Sequence, residues 1–224
     1  MIEFEGVGHR YGDHAVVDDV TLRLTEQRIA FVGANGSGKS TLARMINGLV
    51  HPTSGRVLVD GVDPARQGRT IRKRVGFVFT NPDSQIVMPT AGEDVAFSLR
   101  RKGIPAKERE RRAAEMLARY GLAGYEEHPA HQLSGGQKQL LALCSMLVLD
   151  PDVLVCDEPT TLLDLRNKRR FVDRLEQLPQ QIVLATHDLD LLDDFDRVVV
   201  LDEGRVAADD LPEPALQYYR KLIS

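Results

Sequence analysis

One nine-residue stretch constrains this 224-residue chain more than any other. Residues 33–41 read GANGSGKST and match the phosphate-binding pattern G-x-x-x-x-G-K-[ST] at every defined position. Glycines allow a tight turn whose backbone N–H groups face inward, so the loop and the helix start behind it bind anionic oxygens. We therefore expect a nucleotide to contact Gly33, Asn35, Gly36, Ser37, Gly38, Lys39, Ser40 and Thr41.

The residues on either side of this loop support the same interpretation. Residues 29–32 form an apolar run typical of a buried strand, and residues 42–47 are typical of a helix that stops at Gly48. A chance glycine-rich turn would lack this strand, loop and helix order. Lys39 adds a point charge, and the Ser40 hydroxyl suits Mg²⁺, a hard cation that prefers oxygen ligands.

Composition limits the class of protein. With 42% hydrophobic residues the chain can bury a substantial core, and a net charge of -4 argues against a nucleic-acid partner. Apolar runs such as residues 153–156 are far too short to span a bilayer, and residues 1–5 lack a secretory signal, so we expect a cytoplasmic location. Cys144 and Cys156 lie in apolar segments and are interpreted as buried, reduced side chains.

The first third of the chain predicts an antiparallel layer. Val20, Leu22 and Leu24 alternate with polar residues, as in a half-buried strand. Tyr11 precedes a Gly-Asp turn, where an aromatic ring either packs at a strand end or stacks on a nucleotide base. Residues 55–61 resemble a hairpin.

The middle of the chain predicts helices. After a strand at residues 75–79, the capping-box pattern from Thr90 to Glu93 starts a helix that runs to about residue 100. A second helix runs from about Pro105 to Tyr120 and stops at Gly121; its run of mixed charge is typical of a solvated face. We expect residues ~90–130 to project from the sheet, well placed to meet a partner.

Polar groups follow two later apolar runs. Ser134 is a predicted N-cap for a helix over residues 137–149. Asp157 and Glu158 follow the strand at residues 153–156, where Asp157 can hold Mg²⁺ and Glu158 can act as general base; solvated acids at a strand end are the alternative. His187 follows a strand at residues 182–186 and either contacts the terminal phosphate or the water, or is structural.

Together these motifs resemble those of an ATP-binding-cassette (ABC) ATPase: Walker A, the signature at residues 133–137, Walker B and the switch histidine. The resemblance implies an α/β phosphate-loop NTPase with a RecA-like core, an antiparallel β subdomain and an inserted α-helical subdomain. It divides one ATPase domain, residues 1–224, into a core at residues 1–89 and 151–224 and a helical subdomain at residues 90–150.

The same resemblance implies ATP hydrolysis with Mg²⁺ in a head-to-tail dimer that sandwiches the nucleotides. Because one chain carries every motif of the dimer site, we expect a homodimer with two active sites. In that family one chain completes the partner's site through its signature, here Ser134, Gly135, Gly136 and Gln137. Asp164 resembles the D-loop aspartate that links the two sites, and Tyr11 resembles the adenine-stacking aromatic.

A narrower resemblance concerns residues 81–97, which look like the ATPases of energy-coupling-factor (ECF) vitamin importers. It implies a peripheral protein on the cytoplasmic face of the membrane, with an integral coupling (T) subunit and a substrate-binding (S) subunit. Those ATPases usually have glutamine where this chain has Thr80. Either Thr80 or Gln85 takes the contact to magnesium, with Gln85 favoured, or that coupling contact is altered.

The substrate and two rival functions stay open at the level of sequence. Only residues 211–224 follow the last predicted turn, a short form that resembles a biotin importer ATPase. The alternatives are an ATPase of another importer, for cobalt, nickel or amino acids, and a soluble ABC-type ATPase switch. Such switches interrupt the segment between the phosphate loop and the signature with coiled coils, whereas here that interval has no sustained heptads.

Overall fold

The computed structural model describes residues 1–224. A three-stranded antiparallel sheet covers the front of the protein, with strand order β2-β1-β4. Its strands are β1 (Ile2–Tyr11), β2 (His14–Leu24) and β4 (Ser54–Val59). The alternating Val20, Leu22 and Leu24 are buried, which confirms the predicted layer.

A six-stranded sheet forms the centre, with strand order β5-β6-β7-β3-β8-β9. Its strands are β3 (Arg28–Val32), β5 (Val75–Val78), β6 (Val153–Asp157), β7 (Gln181–Thr186), β8 (Arg197–Asp202) and β9 (Arg205–Asp210). The first five strands in this order are parallel, and β9 is an antiparallel edge strand. Because β3, β6 and β7 are parallel neighbours, their carboxyl ends meet at one edge of the sheet.

Seven α-helices pack around the sheets: α1 (Lys39–Ile46), α2 (Pro64–Ile71), α3 (Ala91–Ser98), α4 (Ala106–Arg119), α5 (Gly135–Leu147), α6 (Leu165–Glu176) and α7 (Pro212–Leu222). The predicted capping box at Thr90 is present, and a second one joins Ser134 to Gln137. Helices α3, α4 and α5 pack on one another, and α5 also packs on β5. No helix combines the length and the apolar character that a membrane span requires.

The central sheet separates two apolar cores. Ile29 and Phe31 of β3 face the antiparallel sheet and α1, whereas Ala30 and Val32 face the helical side, because successive strand residues point to opposite faces. Burial on both faces explains why β3 is a continuous apolar run rather than an alternating one.

One local prediction was wrong. The hairpin predicted at residues 55–61 does not form: β4 pairs with β1, and the turn after β4 closes only through a single bridge between Val59 and Val62. A turn signal identifies the bend but not the strand's partner, which here lies about fifty residues upstream in β1. Helix α1 also begins earlier than predicted, at Lys39.

Candidate functional site

The loop between β3 and α1 has the backbone shape that its glycines predict. Gly36 and Gly38 have φ angles of 84° and 100°, which non-glycine residues rarely adopt. A Cβ at Gly38 would lie 2.8 Å from the backbone oxygen of Val16 on β2. Both conformation and space therefore require glycine at this position.

Lys39 lies inside this loop and is only 4% exposed. Its Nζ donates to the backbone oxygens of Gly33 at 2.9 Å and Ala34 at 3.0 Å, and lies 3.6 Å from Oε1 of Glu158. Burial lowers the pKa of Lys39, and the nearby Glu158 and Asp157 carboxylates oppose that shift. The ammonium is thus poised where the loop would hold a phosphate.

Ser40 and Asp157 meet as an oxygen pair. Ser40 Oγ donates to Oδ1 of Asp157 at 2.6 Å, and Asp157 is completely buried at the end of β6. Arg44, one helical turn after Ser40, places Nε and Nη2 3.1 and 2.9 Å from Oδ2 of Asp157. A hydroxyl and a carboxylate are ligands that Mg²⁺ prefers, so these two residues fit the metal that the sequence predicts.

Glu158 and His187 form the second polar pair. Oε2 of Glu158 lies 2.7 Å from Nδ1 of His187, and the Thr161 hydroxyl donates to the same oxygen at 3.3 Å. Glu158 has a φ of 50°, an uncommon conformation for a non-glycine residue that often marks a functional site. The carboxylate is mostly buried, whereas the imidazole is 45% exposed and faces the loop's cleft.

A cleft of about 320 Å³ brings these groups together. It is lined by Val16, Asn35, Gly36, Gly38, Lys39, Ser40, Thr41, Thr80, Glu158, Thr161 and His187. Gly33 and Ser37 lie within the same loop, and Ser37 is buried with its hydroxyl unpartnered. The phosphate loop and the predicted catalytic residues therefore share one site.

Thr80 reaches this cleft and Gln85 does not. Thr80 Oγ1 donates to the backbone oxygen of Asp157 at 2.7 Å. Gln85 Oε1 accepts from the Phe79 N–H at 3.2 Å, and its Nε2 donates to the Ala142 oxygen of α5 at 3.1 Å. Both ends of the Gln85 amide thus join two backbone segments, whereas Thr80 lines the cleft, so the contacts favour Thr80 and the metal contact of either residue stays a prediction.

The signature residues lie elsewhere on the chain. Ser134, Gly136 and Gln137 line a different hollow, together with residues of α6, and share no lining residue with the phosphate-loop cleft. Gly135 begins α5. Asp164 caps α6 by accepting from the Asn167 N–H at 2.8 Å, beside the same hollow.

Tyr11 lies at the end of β1 and is 54% exposed. Its ring meets the buried His9 edge-to-face, with centroids 4.5 Å apart. Tyr11 does not line the cleft, although Val16 on the paired strand does. Base stacking by Tyr11 stays a prediction.

Comparison with known proteins decides the family. The profile described as ABC transporter matches residues 17–161, which is more than half of the chain. The chain belongs to the ABC transporter family. This ABC ATPase has the predicted fold: a solved structure of cbiO1 from Clostridium perfringens, described as part of the ABC transporter complex cbiONQ, matches with a TM-score of 0.85 at 32% identity, covering 99% of this chain and 93% of that one.

A second solved structure shows a related cassette as a dimer. It is a bacterial ABC transporter cassette, MJ0796, with a TM-score of 0.84 at 28% identity, covering 95% of this chain and 99% of that one. The ABC ATPase is thus similar to cassettes known both in a transporter complex and as a dimer.

Three relatives extend the comparison. A Deinococcus radiodurans protein with the provisional name of an ABC transporter ATP-binding protein is 51% identical, over 100% of this chain and 99% of that protein. The biotin transport ATP-binding protein BioM of Rhizobium etli is 45% identical over the same shares. The cobalt import ATP-binding protein CbiO of Syntrophus aciditrophicus is 41% identical, over 96% and 80%.

Two polar residues of this ABC ATPase were missed by the sequence analysis. Arg44 contacts the buried Asp157, and its only sequence signal was the four-residue spacing from Ser40, which places both on one face of α1. Asp188 follows His187 directly, yet its partners, Thr160 and Lys168, are 20 or more residues away. Neither partnership has a local pattern.

Proposed function

We propose that this ABC ATPase hydrolyses Mg²⁺-bound ATP with the residues of the phosphate-loop cleft. The loop N–H groups and Lys39 hold the terminal phosphates, while Ser40 and Asp157 hold Mg²⁺, which neutralises charge on the phosphates. Glu158 orients and deprotonates the attacking water, and His187, paired with Glu158 at 2.7 Å, faces the terminal phosphate. Thr80 lines the same cleft, and its hydroxyl donates to the backbone oxygen of Asp157.

We propose further that the active form is a homodimer. The observation that carries this is the separation of the two hollows: the phosphate-loop cleft and the signature hollow of one chain have no lining residue in common. A head-to-tail pair would place Ser134 and Gly136 of one copy over the phosphate loop of the other. The similarity to the dimeric MJ0796 cassette supports this arrangement.

The wider role that we propose is energy coupling in an ECF-type importer at the cytoplasmic face of the membrane. Val87 and Phe97 are 65% and 42% exposed beside a hollow in the helical region, where an apolar coupling element of an integral T subunit would fit. A separate S subunit would bind the transported molecule. Full-length similarity to BioM and to the cbiO1 subunit supports this role.

Biotin is the first substrate to test, with cobalt second because of the CbiO similarity. The experiment isolates the tagged protein from its native membranes, identifies its membrane partners, and compares uptake of labelled biotin and cobalt in cells with wild-type or Lys39→Ala protein. We expect co-isolated integral membrane subunits and biotin uptake that Lys39→Ala abolishes. Uptake of cobalt alone would replace biotin, and a soluble protein without membrane partners would overturn the transport role.

A further inference from the structure

A compact polar cluster lies behind the Glu158–His187 pair. Thr160 Oγ1 donates to Oδ2 of Asp188 at 2.7 Å, and Lys168 Nζ lies 2.8 and 2.9 Å from the two Asp188 oxygens. The Asp188 N–H donates to the Thr186 hydroxyl at 3.0 Å. Every hydrogen-bonding group of Asp188, other than its backbone oxygen, thus has a partner, and both carboxylate partners lie on other segments.

These contacts connect the two loops that carry the candidate catalytic pair. Glu158 and Thr160 lie on one loop, and His187 and Asp188 lie on the other. Two side-chain contacts join the loops: Glu158 to His187 at 2.7 Å and Thr160 to Asp188 at 2.7 Å. With two contacts, the first loop cannot shift along the second without breaking a hydrogen bond. The Thr160–Asp188 hydrogen bond therefore fixes the position of Glu158 relative to His187.

Burial strengthens the Thr160–Asp188 hydrogen bond. Thr160 is 1% exposed, and the side chains of Asp188 and Lys168 are each 19% exposed. Burial alone would raise the pKa of Asp188, but the Lys168 ammonium and the Thr160 hydroxyl outweigh it and lower that pKa. Hydrogen bonds to a partly buried, ionised carboxylate are stronger than neutral ones.

Lys168 connects Asp188 to a third segment, helix α6. It lies in the first turn of α6, four residues after Asp164, the residue that caps this helix. The loop from Thr160 to Asp164 is therefore attached at one end to the catalytic pair and at the other to α6. Leu162, within that loop, is 62% exposed.

We infer that Asp188, clamped by Thr160 and Lys168, is a positioning residue that holds His187 and Glu158 in their hydrolytic geometry. This inference rests on the proposed roles of Glu158 and His187. The clamp does not touch the nucleotide cleft directly, since none of its three members lines it. Its loss should therefore slow the chemical step and leave ATP binding intact.

The test compares Thr160→Val, which removes only the hydroxyl at constant shape, with Thr160→Ser, which keeps it. Thr160→Val and Asp188→Ala should lower kcat by about 10-fold to 100-fold, the usual loss when a supporting hydrogen-bond partner of an active-site ligand is removed. The KM for ATP and the Kd of a non-hydrolysable ATP analogue should stay within about twofold, because uniform binding is untouched. Thr160→Ser should restore most of the kcat.

Matched controls separate positioning from stability. Asp190→Ala and Arg169→Met change exposed neighbours that make no side-chain hydrogen bond or ion pair, and should leave kcat unchanged. Lys168→Met should behave like Asp188→Ala, and thermal unfolding reports any loss of fold. Wild-type kcat in Thr160→Val and Asp188→Ala, or a kcat loss that only follows the unfolded fraction, would overturn the inference.

Two further variants separate this inference from the proposed function beneath it. If Glu158→Gln and His187→Ala hydrolyse ATP at the wild-type rate, the proposed catalytic roles fail and the clamp has no pair to position. If both are inactive while the clamp variants are fully active, the clamp alone is wrong.

Discussion

At the scale of the residue, adjacent side chains of the site lie in different environments and can therefore serve different roles. Asp157 and Glu158 are adjacent in sequence, yet Asp157 is completely buried against Ser40 and Arg44, while Glu158 turns through a positive φ toward His187 and the cleft. The change in backbone conformation at Glu158 sends the two carboxylates in different directions. In the proposed mechanism, Asp157 holds the metal and Glu158 orients the water molecule.

Glu158→Gln tests the proposed general base. The amide keeps the shape of the side chain and can still contact His187, but it cannot accept a proton, so we expect kcat to fall by about 10²-fold to 10⁴-fold. ATP affinity should change by less than about threefold. Steady-state hydrolysis and equilibrium binding of a fluorescent ATP analogue measure the two effects. Hydrolysis near the wild-type rate would assign the base elsewhere.

Arg44→Ala tests the support of the metal site. Asp157 is fully buried, and Arg44 supplies the only positive charge in contact with its Oδ2. Without it the carboxylate keeps only the Ser40 hydrogen bond to orient it, and we expect ATP affinity in Mg²⁺ to fall about tenfold, in keeping with the loss of a charge-assisted hydrogen bond. Affinity in EDTA should not change. Isothermal titration with and without Mg²⁺ measures the difference.

Two further variants serve as comparisons for Arg44→Ala. Arg44→Lys should be intermediate, because an ammonium provides one point of charge instead of the two guanidinium nitrogens that contact Asp157. Arg69→Ala removes an exposed arginine without an ion pair and should behave as wild type. Tighter Mg²⁺-dependent binding in Arg44→Ala would show instead that Arg44 competes with the metal.

At the scale of the element, the sequence predicts helices and strands correctly where interactions between residues close in sequence determine them. The strand, loop and helix around the phosphate loop, the capping box at Thr90 and the buried runs that became β3, β6 and β7 are all set by neighbours in sequence. The pairing of β4 with β1 and the position of Gln85 depend on segments about 50 residues away or more. Single-sequence patterns carry no record of such partners, which is why the hairpin prediction failed and why the contacts of Gln85 could not be predicted.

Gln85→Leu tests whether Gln85 acts as a link between elements. Its amide joins the Phe79 N–H, just after β5, to the Ala142 oxygen of α5, so a similar-sized apolar side chain removes two hydrogen bonds. We expect unfolding free energy to fall by about 1 to 3 kcal/mol, at about 0.5 to 1.5 kcal/mol for each bond. Urea unfolding measures the loss, and Gln67→Leu, at an exposed glutamine of α2, is the control.

The nucleotide distinguishes this link from a metal ligand. If Gln85 only joins β5 to α5, Gln85→Leu keeps the wild-type dependence of ATP affinity on Mg²⁺. If that dependence is lost while the unfolding free energy is unchanged, Gln85 reaches the metal after all, and the contact to α5 is replaced when ATP binds.

At the scale of the whole molecule, the two halves of the predicted nucleotide site line separate hollows of one chain. Folding brings residues 33–41 together with Glu158 and His187, but it leaves Ser134 and Gly136 on another hollow beside α6. The motif order in the sequence could show that both halves exist. Only the three-dimensional arrangement shows that a single copy does not bring them together.

Nucleotide-dependent association tests the homodimer. Glu158→Gln protein should bind ATP without consuming it, so in Mg²⁺ and ATP we expect its mass in analytical ultracentrifugation to double, whereas without ATP it should remain monomeric. Adding Ser134→Arg should abolish the dimer, because a long cation would replace the small hydroxyl at the start of α5 that, in the proposed dimer, faces the partner's phosphate loop. Adding Arg101→Ala, at an exposed site in the helical region, should leave dimerisation unchanged. A Ser134→Arg protein that still doubles in mass would place the second half of the nucleotide site elsewhere.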